Sequence, residues 1–414
     1  MSQAATTPQQ PTGPISIETF WQVFFQSQLL PPQQAQQYQQ QFYQMKGAAN
    51  ATAASVAEWL IAQNCISPFQ SKVLLSGQTG PFQFGDYRVF EREESGRLDG
   101  VFHSLHATTN HPASLVFLAG PNAQDPARVA EAAAVAKMLS AIRNDNLARV
   151  YHFADLQTYR FVAVERLEGK TLTDHLAQQG VLPAAEACRI ARQIAMGVSA
   201  LFQVGIVHGE LRPENVWMTP MGTAKVMAFP FHRDPLAPVA PFDPNDPNSA
   251  VKADYLAPEI SSGQAAPDAR GDVYALGCLL YQCLTGRVPF PDQNVFQKVL
   301  RHGSEPVISP DQLNPSVPNA VAQLVMYLLA KDPNQRYQEP NHVAEALAPY
   351  VDPNALNADV EPHSAAAHTY DGWLAQNHPP VEPDPDTGEV KFGFHAEDFS
   401  HVQVDSPEAI GQFP

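Results

Sequence analysis

The sequence predicts an α+β architecture in which a small strand-rich region precedes a larger helical one, with a separate helical segment in front. Three observations carry this. Between Phe84 and Val164, apolar residues fall in short runs divided by turn residues. From Gly169 to Pro349 they recur at helical spacing. From Ile17 to Leu75 they do so again, in four shorter stretches. Strands collected in one part of a chain and helices in another is the order of an α+β fold.

Taken from the start, residues 1–14 are rich in Gln, Thr and Pro and read as a disordered N-terminus. Residues 15–80 read as a helical prefix domain. Ile17, Phe20, Trp21, Phe24 and Phe25 share one helical face, and Pro31-Pro32 end it. The Gln-rich stretch 33–44 carries Tyr38, Phe42 and Tyr43 at the same spacing. A third helix is expected over 53–60 and a fourth over 69–75, opened by Ser67-Pro68.

Residues 84–168 form the strand-rich region. Tyr87 and Val89, Val101 and Phe102, Leu115–Leu118, Val150–Phe153 and Phe161–Val164 read as short strands. An Ala-rich helix is expected over 127–142. Residues 169–350 read as almost wholly helical, interrupted by a Pro-, Asp- and Asn-dense loop over 231–254. Residues 351–414 hold twelve acidic residues and one basic, Lys391, a local balance of −11, and read as an acidic, disordered tail.

The 414 residues are 44% hydrophobic, enough for a substantial core, and carry a formal charge of −17. That sign excludes nucleic acid and anionic membrane surfaces as expected partners, because both need basic patches. Cys65, Cys188, Cys278 and Cys283 form no CxxC pair, and the last two sit in an apolar helical stretch, where free buried thiols are expected. No basic-then-apolar leader opens the chain, and no apolar run approaches the roughly 18–20 residues that cross a bilayer. A reduced cytoplasmic protein is expected. His103 and His106 are expected to be exposed, and no His/Cys cluster has metal-ligand spacing.

The chemistry-bearing segment is His208-Gly209-Glu210-Leu211-Arg212-Pro213-Glu214-Asn215. It resembles the catalytic loop of protein kinases, H-R-D-L-x-x-x-N. The order of motifs around it strengthens the match. Ala228-Phe229-Pro230 begins thirteen residues past Asn215, where D-F-G belongs. Ala257-Pro258-Glu259 supplies A-P-E. Asp272–Gly277 resembles the buried helix that follows, and Arg336, after Asp332-Pro333, resembles the late Arg that pairs with the A-P-E Glu. The resemblance covers about residues 84–350 and points to the eukaryotic-like Ser/Thr kinases of bacteria, hence to a bilobal fold with a β-rich N-lobe and a helical C-lobe.

The resemblance also marks what is missing. Phosphoryl transfer in this family is positioning plus electrostatics. The Lys on the third strand holds nucleotide phosphates, and its position falls on Val116. Its Glu partner maps to Val135, with Glu131 one turn earlier. The Mg²⁺-binding Asp of D-F-G is Ala228, and of the glycine-rich loop only Gly96 survives, beside Glu94 and Asp99. The catalytic Asp is Glu210, one methylene longer. Asn215 is kept and is expected either to bind a metal or to brace the loop. Gly209 replaces the Arg that would receive an activation-loop phosphate. Losing the Lys and the metal Asp removes roughly 3–6 kcal/mol of charge-assisted binding, about 10²–10⁴ in affinity.

These residues imply a pseudokinase. No catalytic residue is expected to act, with Glu210 and Asn215 as degenerate catalytic positions and Gly96, Val116 and Ala228 as degenerate ATP positions. ATP and Mg²⁺ are expected to bind weakly or not at all, and no metal site is expected. Scaffolding or signalling through a protein partner is the expected function, with the tail 351–414 as a candidate contact. The alternative is a weak or atypical ATP-dependent Ser/Thr kinase using Glu210.

Overall fold

The computed structural model describes residues 14–45, 51–94, 98–118, 123–156, 158–228, 249–261, 268–351 and 365–379. The described residues divide into two compact units, those of 14–118 and 154–161 in the first and those of 123–153 and 162–379 in the second.

In the first unit four helices build an aromatic core: α1 (Ile17–Gln26), α2 (Pro32–Gln44), α3 (Ala53–Ala62) and α4 (Pro68–Leu75). Ser16 caps α1, and capping boxes of Thr52 with Ser55 and of Ser67 with Gln70 start α3 and α4. Phe20, Trp21, Phe24 and Phe42 are buried, and the Phe42 and Trp59 rings meet edge-on at 5.4 Å. Helix α4 joins this core to a meander of antiparallel strands, β1 (Gln83–Phe84), β2 (Tyr87–Arg92), β3 (Phe102–His106) and β4 (Pro112–Phe117). The Gln70 side chain donates to the Val89 carbonyl at 2.7 Å, and the Phe69 ring meets Phe82 and Phe102.

Inside this sheet the histidines depart from expectation. His103 and His106 are both buried. His103 lies 2.9 Å from both the Ser114 hydroxyl and Glu93, and His106 bonds Thr109. Inward-facing polar positions on short strands interrupt no apolar run long enough to reveal burial.

The second unit begins with α5 (Pro126–Ala141) and contains most of β5 (Val150–Asp155) and β6 (Arg160–Glu165). Helices α6 (Leu172–Gln179), α7 (Ala184–Phe202), α8 (Ser249–Lys252), α9 (Pro258–Ser261), α10 (Ala269–Thr285), α11 (Val295–Ser304), α12 (Pro310–Leu313), α13 (Asn319–Leu328) and α14 (Pro340–Leu347) follow. Helix α10 is buried on nearly every face and carries Cys278 and Cys283, both free and buried. A helix apolar all round is an interior helix.

The expectation of an almost wholly helical region needs correction. A three-stranded sheet stands within it, built from β7 (Lys170–Thr171), β8 (Val216–Met218) and β9 (Ala224–Val226) in that order. Strands of two and three residues are too short to show alternation. Two bonds anchor β9 before Ala228, Val226 N–H to the Asn146 carbonyl and Ala148 N–H to the Val226 carbonyl, both 2.8 Å. Gly197 on α7 permits this, because a Cβ there would collide with the Asn146 carbonyl.

Two other expectations change. The loop 231–254 is described only from Ser249, where α8 forms a helical turn and Ser249 is buried. The tail, expected to be disordered, contains helix α15 (Ala365–Asn377). Its Tyr370, Trp373 and Leu374 sit three and four residues apart, the spacing of one helical face. The aromatic cluster Val390, Phe392, Phe394 and Phe399 lies outside the described residues. Among the described residues no helix is long and apolar enough to cross a membrane.

Candidate functional site

The loop 208–215 is a web of backbone bonds before it is anything chemical. Asp272, on the first turn of α10, accepts the N–H groups of His208 at 2.9 Å and Gly209 at 2.8 Å. Burial pushes the Asp272 carboxyl up, while the neighbouring His208 and these two N–H groups pull it back. Gly209 has φ +68°, a left-handed conformation that costs glycine nothing and strains most other residues. The position that resembles the phosphate-reading Arg is thus filled by a residue suited to the turn.

His208 serves the loop too. Its Nε2 lies 2.9 Å from the Met227 carbonyl, which can only accept, so Nε2 carries the proton. Nδ1 is then the acceptor for the Glu210 N–H at 3.3 Å. With both nitrogens engaged, the ring fastens the loop to the end of β9. Asn215 is buried, and its amide donates to the Glu210 carbonyl at 2.6 Å while Met227 N–H bonds the Asn215 carbonyl at 2.9 Å. Of the two roles expected for Asn215, loop bracing is the one with bonds to show. Among the described residues no group of three His, Cys, Asp or Glu side chains could hold a metal.

The Glu210 carboxylate stands between two cations. Arg212 Nη2 is 3.9 Å from one oxygen and Lys252 Nζ is 3.7 Å from the other, and the Glu210 side chain is only 11% exposed. Lys252 ends α8, and α8 is bolted down by Lys298 of α11. The Lys298 ammonium donates to the Ala250 carbonyl at 2.8 Å and to Asp254 at 2.7 Å. Tyr255 then bonds Gln282 at 2.6 Å. The structure therefore adds Lys252 and Lys298 to the site. Sequence reading missed both, because neither lies in a motif: Lys252 reaches Glu210 from α8, and Lys298 holds α8 from α11.

The remaining predicted positions are apolar or spent. Ala228 follows β9 and offers a methyl group where a carboxylate would hold a cation. Lys225, three residues earlier, bonds Glu165 at 2.8 Å. On α5, Glu131 pairs with Arg128 at 2.9 Å on an exposed surface, and Val135 has no charge to offer. In the first unit Val116 is buried on β4, and Glu94 pairs with Lys72 at 2.5 Å. Gly96, Phe229 and Pro230 lie outside the described residues.

The supporting frame is intact. Arg336 grips Glu259 with two bonds, 2.7 and 2.9 Å, and also donates to the carbonyls of Ala330, Arg270 and Lys331. Its guanidinium lies over the Tyr274 ring at 4.7 Å. Glu259 and Arg336, matched through the resemblance, pair as it implies, and Asp272 stands on the buried helix where the resemblance puts it.

Comparison with known proteins agrees with this frame. The protein kinase domain model matches residues 95–348. Serine/threonine-protein kinase PrkC of Bacillus subtilis (strain 168) is 27% identical over 275 residues, covering 66% of this chain and 42% of that protein. Serine/threonine-protein kinase PksC of Streptomyces coelicolor is 34% identical over 215 residues, 50% of this chain and 38% of that protein. Serine/threonine-protein kinase PknD of Mycobacterium tuberculosis is 30% identical over 269 residues, 64% and 39%. A crystallised variant of the Mycobacterium tuberculosis PknI kinase domain aligns with TM-score 0.48 and 20% identity, over 65% of this chain and 96% of that one. The chain spans less than half the length of the curated relatives it matches. With the family model covering well over half of its residues, and with the Glu259–Arg336 and Asp272 frame in place, the chain belongs to the protein kinase family.

Proposed function

We propose that this protein is a pseudokinase, a kinase-fold module that works by binding protein partners and not by transferring phosphate. The observation that carries the reading is the state of Glu210. The carboxylate standing at the catalytic-base position is only 11% exposed and is faced by Arg212 at 3.9 Å and Lys252 at 3.7 Å. A general base must reach the proton it abstracts, and this one is already faced by cations. Val116 and Ala228 support the same conclusion from the nucleotide side, since neither side chain can bind phosphate or Mg²⁺.

A weak Ser/Thr kinase is the second reading. It is favoured by the carboxylate that Glu210 retains and by relatives that are named serine/threonine-protein kinases. Calorimetry with ATP, with and without Mg²⁺, separates the two. The pseudokinase reading expects no saturable heat in the micromolar range and no phosphate on the protein after incubation, by intact mass. Time-dependent phosphate that disappears in Glu210→Ala establishes the second reading.

A further inference from the structure

The tail helix α15 is seated on strand β5, within the second unit. Tyr370 is fully buried and meets the Tyr151 ring edge-on at 4.9 Å. Trp373 lies 5.8 Å from His152 and stacks on Tyr370 at 5.6 Å. His378, just past the helix, stacks on His152 at 3.8 Å, and Leu374 is buried. Between the aromatic residues, Asp371 pairs with Arg149, whose guanidinium also covers the Tyr151 ring at 5.2 Å.

The charges are complementary in a directed way. Arg143, the residue after the C-cap of α5, and Arg149, the residue before β5, bring two positive charges to one joint. Burial and Arg149 lower the Arg143 pKa, and Asp371 opposes both. A helix with an acid between two aromatic residues suits this surface, and the tail presents one as Tyr370-Asp371-Gly372-Trp373.

We infer that the β5 surface formed by Arg149, Tyr151 and His152 is a docking site for an aromatic–acidic helix, occupied in this protein by its own α15 as a tethered ligand. Thirteen residues separate Val351, where the helical body ends, from Ala365. A short tether holds a ligand at an effective concentration of about 1 mM. A helix of modest intrinsic affinity therefore fills the site in cis and shields it from helices in trans. Once α15 is released, the same surface is open to a partner helix of the same pattern. The inference does not depend on whether Glu210 is catalytic.

The test uses the full chain. Tyr370→Ala with Trp373→Ala should release α15, so that amides 365–377 exchange freely while α7 and α10 keep wild-type protection. A fluorescein-labelled peptide of residues 363–379 should then bind this variant roughly 100-fold more tightly than it binds the wild type, whose site is filled. The same peptide carrying Asp371→Arg should not bind, nor should the wild-type peptide bind once Arg149→Asp is added to the variant. Equal binding to wild type and variant overturns the inference, as does no binding to a variant whose other helices keep their protection. A wild-type dimer that dissociates on Tyr370→Ala/Trp373→Ala overturns the cis assignment, since the helix would then come from a second copy.

Discussion

Two glutamates of the larger unit, Glu259 and Glu210, each face an arginine, one at bonding distance and the other beyond it. Glu259 meets Arg336 through two bonds of 2.7 and 2.9 Å, and the Arg336 side chain is fully buried among three carbonyls. Glu210 meets Arg212 at 3.9 Å and Lys252 at 3.7 Å, beyond hydrogen-bond length. The first pair holds α9 to the segment after α13, and its geometry is what the architecture requires. The second sits in the loop 208–215, where the resemblance places the catalytic carboxylate, with two cations just beyond bonding distance. The joint that holds the fold together is thus built to closer tolerances than the pair beside the loop 208–215.

The sharpest test of this contrast is Arg336→Ala. Removing one partner of a buried ion pair leaves Glu259 charged and unpaired, at a cost of about 3–5 kcal/mol, or roughly 10 °C in melting temperature. Thermal unfolding measures it, and a loss below about 1 kcal/mol would mean that the frame is not what maintains the fold.

A smaller effect comes from His302, which is buried behind the same frame and bonds the Tyr274 hydroxyl at 2.8 Å. Burial, with Lys331, Lys298 and Arg301 nearby, depresses its pKa from 6.5 to about 3. The unfolded chain therefore binds a proton below pH 6.5 that the folded chain refuses. Stability from this group is complete above pH 6.5 and declines as pH falls toward 3, by about 2 kcal/mol between pH 7 and pH 5. Urea titrations at the two pH values should show that difference, and it should shrink in His302→Gln.

At Glu210, by contrast, Lys252→Ala removes an ion pair of 3.7 Å, and it should lower stability by less than the roughly 3–5 kcal/mol expected of Arg336→Ala. A drop as large as that of Arg336→Ala would abolish the distinction between the two glutamates. The smallest expected change is in activity. Val116→Lys combined with Ala228→Asp supplies a phosphate-binding amine and a metal carboxylate but leaves Glu210 between its cations. Intact-mass measurement after Mg-ATP incubation should detect no added phosphate, and incorporation would show that Glu210 is competent as it stands.

How much of this was readable in advance depends on the range of the interaction. Helix α4 was legible because Ser67, Pro68 and Gln70 are capping chemistry within one turn. The loop 208–215 and the Glu259–Arg336 pair were legible because a motif order records distant contacts indirectly. The strands β7–β9 were not, because two or three residues carry no period. His103 and His106 were placed wrongly because burial on a strand depends on what covers it.

By itself, then, the sequence determined the longer helices and strands, and, through the resemblance, the expectation that Val116, Ala228 and Glu210 stand where other side chains would do phosphoryl chemistry. Those are local propensities and residue identities, properties of a position and its near neighbours. Only the tertiary structure decided that Lys252 would reach Glu210, that Lys298 would bolt α8, and that Tyr370 and Asp371 would find Tyr151 and Arg149. Such pairings join residues tens to hundreds of positions apart. They are chosen by which surfaces the folded chain brings within a few ångströms, a choice made by the packing of the whole and recorded at no single place in the chain.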